Sequence, residues 1–188
     1  MRLLFVSNVY PFPDRHDGGG YELSCQEVCD RLRSRGHQVL VLTSDQGLGT
    51  TYSTSESHVQ RSLKLELAMK TGKAWRQFLF GRRRRERHNL RQLEDALSDF
   101  EPDIVLIWGM WNLPISLARL AESESAVAYY VADPWPTLPS ELHLYLQEPS
   151  RSSRRAVLKR LLGKVAPLWL PPPITPLQVL EFEHVLVP

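Results

Sequence analysis

The chain has 188 residues, room for one ordinary domain, and its 43% hydrophobic and 23% charged residues exclude disorder throughout. Two cysteines exclude a disulfide scaffold, and no apolar run reaches the roughly 20 residues that a membrane-spanning helix needs. The net charge of +2 hides an asymmetry: Lys70–Arg91 carries +8 and Arg151–Lys164 carries +6, which leaves −12 on the rest.

Arg2–Ser7 (RLLFVS) reads as a short buried strand. It stops at Ser7-Asn8 without a cleavage-site pattern, so it does not read as a signal peptide. A turn-rich loop follows from Asn8 to Gly20, with Pro11, Pro13 and the glycines Gly18, Gly19 and Gly20. Tyr21, Cys25, Val28, Cys29 and Leu32 then recur on one stripe of a helix, and Gly36 stands where a helix C-terminal glycine belongs. Gln38–Thr43 is a second β-rich run, so the opening forty-three residues predict a βαβ unit.

Val59–Leu67 alternates and predicts an edge strand or a hairpin arm. Thr71–Phe100 predicts one long helix or two, with Leu90, Leu93, Leu97 and Phe100 facing the core and Pro102 as the stop. Within it, Arg82, Arg83, Arg84, Arg85 and Arg87 form a basic patch that a second cluster with Arg154 and Arg155 extends. Such patches suit an anionic partner, although a solvated helix face explains them equally well. Asp103–Trp108 predicts a strand buried on both faces, and Asn112 an N-cap for a helix facing inward with Leu113, Leu117, Leu120 and Ala121. Ala126–Val131 is the next strand, ended by Asp133-Pro134-Trp135-Pro136. Five prolines in the ten residues Pro167–Pro176 predict a loop, and Val185–Val187 one more strand. The alternation implies an α/β, Rossmann-like, doubly wound and mostly parallel sheet with helices on both faces.

Ligands of such sheets bind at the carboxyl ends of the strands. A glycine cluster between a strand and a helix lets backbone N–H groups approach an anion at the helix's positive end, although a glycine hinge has the same composition. No G-x-G-x-x-G follows the first strand, and neither a P-loop nor a G-x-S-x-G elbow occurs. The six histidines lack metal-ligand spacing, and Cys25 and Cys29 share the core face of their helix, so they read as buried thiols. Trp108, Trp111 and Trp135 stand at strand ends, where an aromatic either packs or stacks on a sugar or base.

The run R-L-L-F-V-S-N-V-Y-P-F-P, then D-G-G-G-Y-E, a helix and R-G-H-Q-V-L-V-L-T resembles the N-terminal half of retaining glycosyltransferases of GT-B fold, the group-1 class. D-I-V-L-I-W-G-M-W, Y-Y-V-A-D-P-W-P and E-H-V-L-V-P resemble later strands of that half. The resemblance implies that residues 1–188 are one acceptor-side domain, with the C-terminal nucleotide-sugar domain absent from this chain. It implies transfer of a sugar from a nucleotide-diphosphate donor to an acceptor hydroxyl with retention, and an isolated domain that is inactive. Gly18, Gly19 and Gly20 would face the donor diphosphate, and Trp108, Met110, Asn112, Asp133 and Trp135 would line the acceptor and sugar cleft. Neither a metal nor a cofactor is expected, nor nucleic acid as a partner. Glycan or lipid-linked acceptors are, in the cytoplasm and in contact with the inner face of an anionic membrane.

One position departs from the class, which often has a histidine after the corresponding strand; here it is Ala132, followed by Asp133. No histidine role carries over, and Asp133 is left as a candidate catalytic group or a turn cap. Two other readings stand beside this one: a non-catalytic α/β binding or scaffold module, and another Rossmann-like nucleotide-sugar enzyme.

Overall fold

In the computed structural model of the chain, the first strand decides the layering. β1 (Arg2–Ser7) points Leu3 and Phe5 to one side and Leu4 and Val6 to the other, and all four are buried. A strand covered on both faces needs helices above and below its sheet. The structure describes residues 1–12, 19–44, 56–65, 74–139 and 174–187, together with 156–157, 160–161 and 163–164; residues 74–80 are described in backbone only. Gly18, Arg154, Arg155 and most of the proline-rich run lie outside the described residues.

After β1 come α1 (Gly20–Ser34), β2 (Gln38–Ser44), β3 (Val59–Leu63), α2 (Ala74–Phe100), β4 (Ile104–Gly109), α3 (Ile115–Glu124), β5 (Val127–Tyr130) and β6 (His184–Leu186). The six strands form one sheet in the order β3-β2-β1-β4-β5-β6, and every neighbouring pair is parallel. The chain therefore winds outward from β1 to β3 and then returns to the other side of β1 with β4. This is the Rossmann-like doubly wound arrangement, with its reversal of strand order between β1 and β4.

Each face has its own core. Cys25 and Cys29 of α1 pack on Leu3, Phe5, Val39 and Val41, while Leu93 of α2 and Leu117 and Ala121 of α3 pack on Leu4, Val6, Val105 and Ile107. Burying a leucine fully in such a layer contributes roughly 1.5–3 kcal/mol. α1 ends where its glycine requires: Gly36 has φ +85°, its N–H donates to Arg33 O, and the N–H of His37 donates to Leu32 O. That pair of bonds is a Schellman closure.

Two open alternatives are decided, and one expectation changes. Residues 59–63 make a parallel edge strand, so the hairpin arm is excluded. Thr71–Phe100 yields a single helix over Ala74–Phe100. Asn112 does not cap α3: Pro114 occupies the N-cap, and Asn112 adopts φ +61° in the turn before it. Asparagine tolerates that left-handed conformation as readily as it caps, so the residue type alone did not separate the two.

Beyond β3, a side chain takes over the role of a neighbouring strand. Asn89 of α2 is fully buried; its Oδ1 accepts from Lys64 N at 2.8 Å and its Nδ2 donates to Lys64 O at 2.9 Å. Among the described residues, no helix is long and apolar enough to cross a membrane.

Candidate functional site at the strand-order reversal

At the reversal, the carboxyl ends of β1 and β4 meet in an irregularity. Val6 pairs with Ile107 but Ser7 pairs with Gly109, which leaves Trp108 as the extra residue of a bulge. Past it, Asn8 N donates to Gly109 O at 3.0 Å. Gly109 is required by close approach: a Cβ there would lie 2.8 Å from Asn8 Oδ1 and 3.0 Å from Tyr21 Cε1. Asn8, Gly109 and the first turn of α1 thus converge on one spot.

Tyr21 fixes that turn. Its hydroxyl donates to Tyr130 O at 3.0 Å, and Trp108 Nε1 donates to Tyr21 O at 3.2 Å. Burial, and then the nearby Asp133 carboxylate, push the Tyr21 phenol well above its ordinary value, so it remains a donor. Trp108 stacks on Tyr130 with centroids 4.0 Å apart and planes at 14°. The start of α1 is therefore tied to both β4 and β5.

Gly19 is the N-cap of α1 and Gly20 its first residue, and both are exposed. The backbone of Gly19 is extended, with φ −67°, so no left-handed conformation demands glycine there. Among the described residues, a Cβ at Gly20 would meet nothing within 4 Å, and one at Gly19 would meet the movable Glu22 carboxylate. No side chain among the described residues caps these first-turn amides. What the two glycines provide is an open approach to the positive end of a 15-residue helix.

The five residues expected to line the cleft divide. Trp108, Met110 and Trp135 are only 3%, 5% and 4% exposed, so they pack beneath the edge and do not present a ring or thioether to a ligand. Trp135 belongs with Tyr129 and Phe182 in an aromatic cluster over α3 and β5. Asp133 remains partly exposed, but both its oxygens are engaged: Oδ2 accepts from Trp111 Nε1 at 2.8 Å and Oδ1 from Trp135 N at 2.9 Å. It holds the first amide of the short 3-10 turn Trp135–Thr137 and anchors the loop after β4 to that after β5. Asn112 keeps a buried Oδ1 with no hydrogen-bond partner among the described residues, on a left-handed backbone whose modest strain asparagine bears better than most residues. Strain and an unmet acceptor together at a strand's carboxyl end mark a site-like position.

Sequence reading did not single out Asn8, Tyr21 or Arg61 for the site. Asn8 and Tyr21 lie within the loop and stripe that it did identify. Arg61 had one signal, a cation two residues after Val59 on the inward-facing register of β3. Its guanidinium donates to Tyr10 O at 2.7 Å and Pro11 O at 2.6 Å. Cys25 and Cys29 are buried and free, and burial pushes the Cys25 thiol up, which leaves it protonated.

The basic patch resolves into a face. Arg83, Arg84, Arg87 and Arg91 are exposed at helical spacing, whereas Arg82 and Arg85 are half-buried. α2 ends at Phe100 just before β4 begins, so its first half lies toward the carboxyl edge of the sheet. The contact of Ser116 Oγ with Glu86 Oε1 at 2.6 Å, in the first turn of α3, fixes the same placement.

A family model described as Glycosyltransferase Family 4 matches residues 18–166, which is most of the chain and runs from α1 through β5. The chain belongs to glycosyltransferase family 4. With its parallel sheet and its reversal at β1 and β4, it is the Rossmann-like N-terminal half of a GT-B glycosyltransferase. No curated protein matches the chain. The match begins at Gly18, so the glycines that enter α1 and the loops after β4 and β5 all fall within the family 4 region.

Proposed function

We propose that this family 4 domain is the acceptor-side half of an enzyme that moves a sugar, with retention, from a nucleotide-diphosphate sugar to an acceptor hydroxyl. Gly18, Gly19 and Gly20 face the donor's diphosphate across the cleft to a second domain. The observation that carries this reading is the N-terminus of α1, uncapped and unobstructed among the described residues and set at the strand-order reversal by Tyr21 and Gly109.

Breaking the bond between sugar and phosphate builds positive charge on the ring and negative charge on the leaving diphosphate. Backbone N–H groups and a helix N-terminus aimed at that oxyanion stabilise the transition state more than the ground state. Closure of two domains excludes water that would otherwise hydrolyse the donor. Asn112 and the exposed part of Trp111 are the groups we assign to the acceptor side, with Asp133 holding their loop in place.

The acceptor is a glycan or a lipid-linked molecule at the cytoplasmic face of a membrane. The exposed arginine face of α2, turned toward the same edge as the site, supports contact with an anionic surface. Each basic residue near such a surface contributes about 1 kcal/mol, so four would give useful peripheral binding.

The test is release of nucleoside diphosphate from a panel of nucleotide sugars, measured with this chain alone and with the enzyme that contains it. The longer enzyme turns over at least one donor with retained anomeric configuration, and the 188-residue chain alone turns over none. Inversion, or robust turnover by the isolated chain, contradicts the proposal.

A further inference from the structure

The side chain of Arg61 is only 2% exposed, on an edge strand otherwise held by ordinary ladder bonds. Burying a cation costs free energy unless geometry compensates for lost water, so its contacts show what it is kept for. Nη1 donates to Tyr10 O at 2.7 Å, and Nη2 to Pro11 O at 2.6 Å and to Glu56 Oε2 at 3.3 Å. The guanidinium carbon stands 4.1 Å from the Phe12 ring centroid and 5.7 Å from that of Tyr10. Three consecutive residues are therefore gripped by one side chain, two by their carbonyls and the third by its ring.

Those three residues continue the segment that leaves β1 at the strand-order reversal. Its beginning is pinned by Asn8 N on Gly109 O and by Ser7 Oγ on Val9 O. Its continuation leads to Gly19 and the open end of α1. An apolar residue at position 61 could pack on the rings but could not satisfy two successive carbonyls. A lysine could supply the charge but not a planar fork.

We infer that Arg61 is a positioning residue of the transferase: its guanidinium fixes the direction in which Tyr10–Phe12 leave β1 at the strand-order reversal, and with it the approach of donor diphosphate to the site. The inference rests on the donor-facing role proposed above for that segment.

The experiment measures amide deuterium exchange, resolved to peptides, in the full chain and in Arg61→Met, Arg61→Lys and Arg61→Gly. In Arg61→Met, exchange accelerates at least about tenfold at residues 9, 10 and 12 while β1, β2 and β4 keep their protection. Arg61→Lys recovers part of the effect and serves if Arg61→Met does not fold. Millimolar guanidinium restores Arg61→Gly, whereas sodium chloride at equal ionic strength does not. Exchange that rises uniformly over the sheet, or does not rise at residues 9, 10 and 12, overturns the inference. In the active enzyme, Arg61→Lys raises the KM for the donor several-fold and leaves that for the acceptor unchanged. Equal effects on both, or none, make Arg61 a structural staple and also overturn it. If the wild-type enzyme turns over no nucleotide sugar, the proposed function fails, while the exchange result still decides whether Arg61 directs the segment.

Discussion

Gly109 and Gly20 make opposite demands on a methyl group. At Gly109 the added carbon would press on the Asn8 amide and the Tyr21 ring, both part of the packed edge. Gly109→Ala is expected to cost about 1–3 kcal/mol in denaturant unfolding, the usual range for overpacking. Gly20→Ala is expected to change stability by less than about 0.5 kcal/mol, because nothing stands within 4 Å of the new carbon. Equal losses at the two positions would contradict the packing described for this edge. In the sequence, the two glycines differ only in setting. Gly20 belongs to a visible cluster before a helix, while Gly109 ends an apolar strand, and no pattern in the chain announces that a tyrosine 88 residues away needs its space. Asp133 shows the same limit. Its place before Pro-Trp-Pro allowed a cap or a catalytic group, and no local pattern announces that its two oxygens accept from Trp111 and Trp135.

At the scale of elements, periodicity carried most of the reading. β1, α1, β2, β4 and β5 lie within a residue or two of their expected spans because their apolar spacing has one dominant period. The partner of β3 was not legible, since alternation specifies a half-buried strand and not the direction of its neighbour. Asn89 explains how that edge is finished, and its removal leaves the Lys64 N–H and carbonyl without their side-chain partner. Asn89→Ala is expected to destabilise by about 2 kcal/mol, measured by chemical denaturation. Asn89→Asp keeps an acceptor for the Lys64 N–H but sets a buried carboxylate oxygen against the Lys64 carbonyl, and is expected to cost more than Asn89→Ala at neutral pH. The arginine face of α2 behaves differently, because Arg83, Arg84, Arg87 and Arg91 are exposed. Replacing these four with glutamine is expected to abolish cosedimentation with anionic liposomes at low salt while the melting temperature stays nearly constant. Binding that persists in the variant, or is absent from the wild type, removes the membrane contact.

The whole molecule brings distant segments together in ways that no local pattern encodes. His58 is an example: burial, and then the guanidinium of Arg33 at 3.3 Å, lower its pKa from 6.5, outweighing Glu56 and Asp30. The folded chain thus resists a proton that the unfolded chain accepts, and stability falls as the pH drops through about 6.5. His58→Gln is expected to flatten the decline in unfolding free energy between about pH 7 and pH 5. An unchanged slope would mean that other groups dominate the acid response. The doubly wound architecture was legible because strand and helix alternate along the chain, and with it the expectation of a site at the carboxyl edge. The division of that edge into buried floor and open approach was not, because Trp108, Met110 and Trp135 carry the same residue types whether they pack or bind. The most direct measurement is an amide-resolved footprint of nucleotide-sugar binding on the enzyme containing this chain. The account predicts perturbations confined to Asn8, Gly19–Glu22, Gly109–Asn112 and their neighbours at the junction of β1, β4 and α1. A footprint centred on the amino edge of the sheet or on the outer faces of the helices, with this edge unchanged, would contradict it.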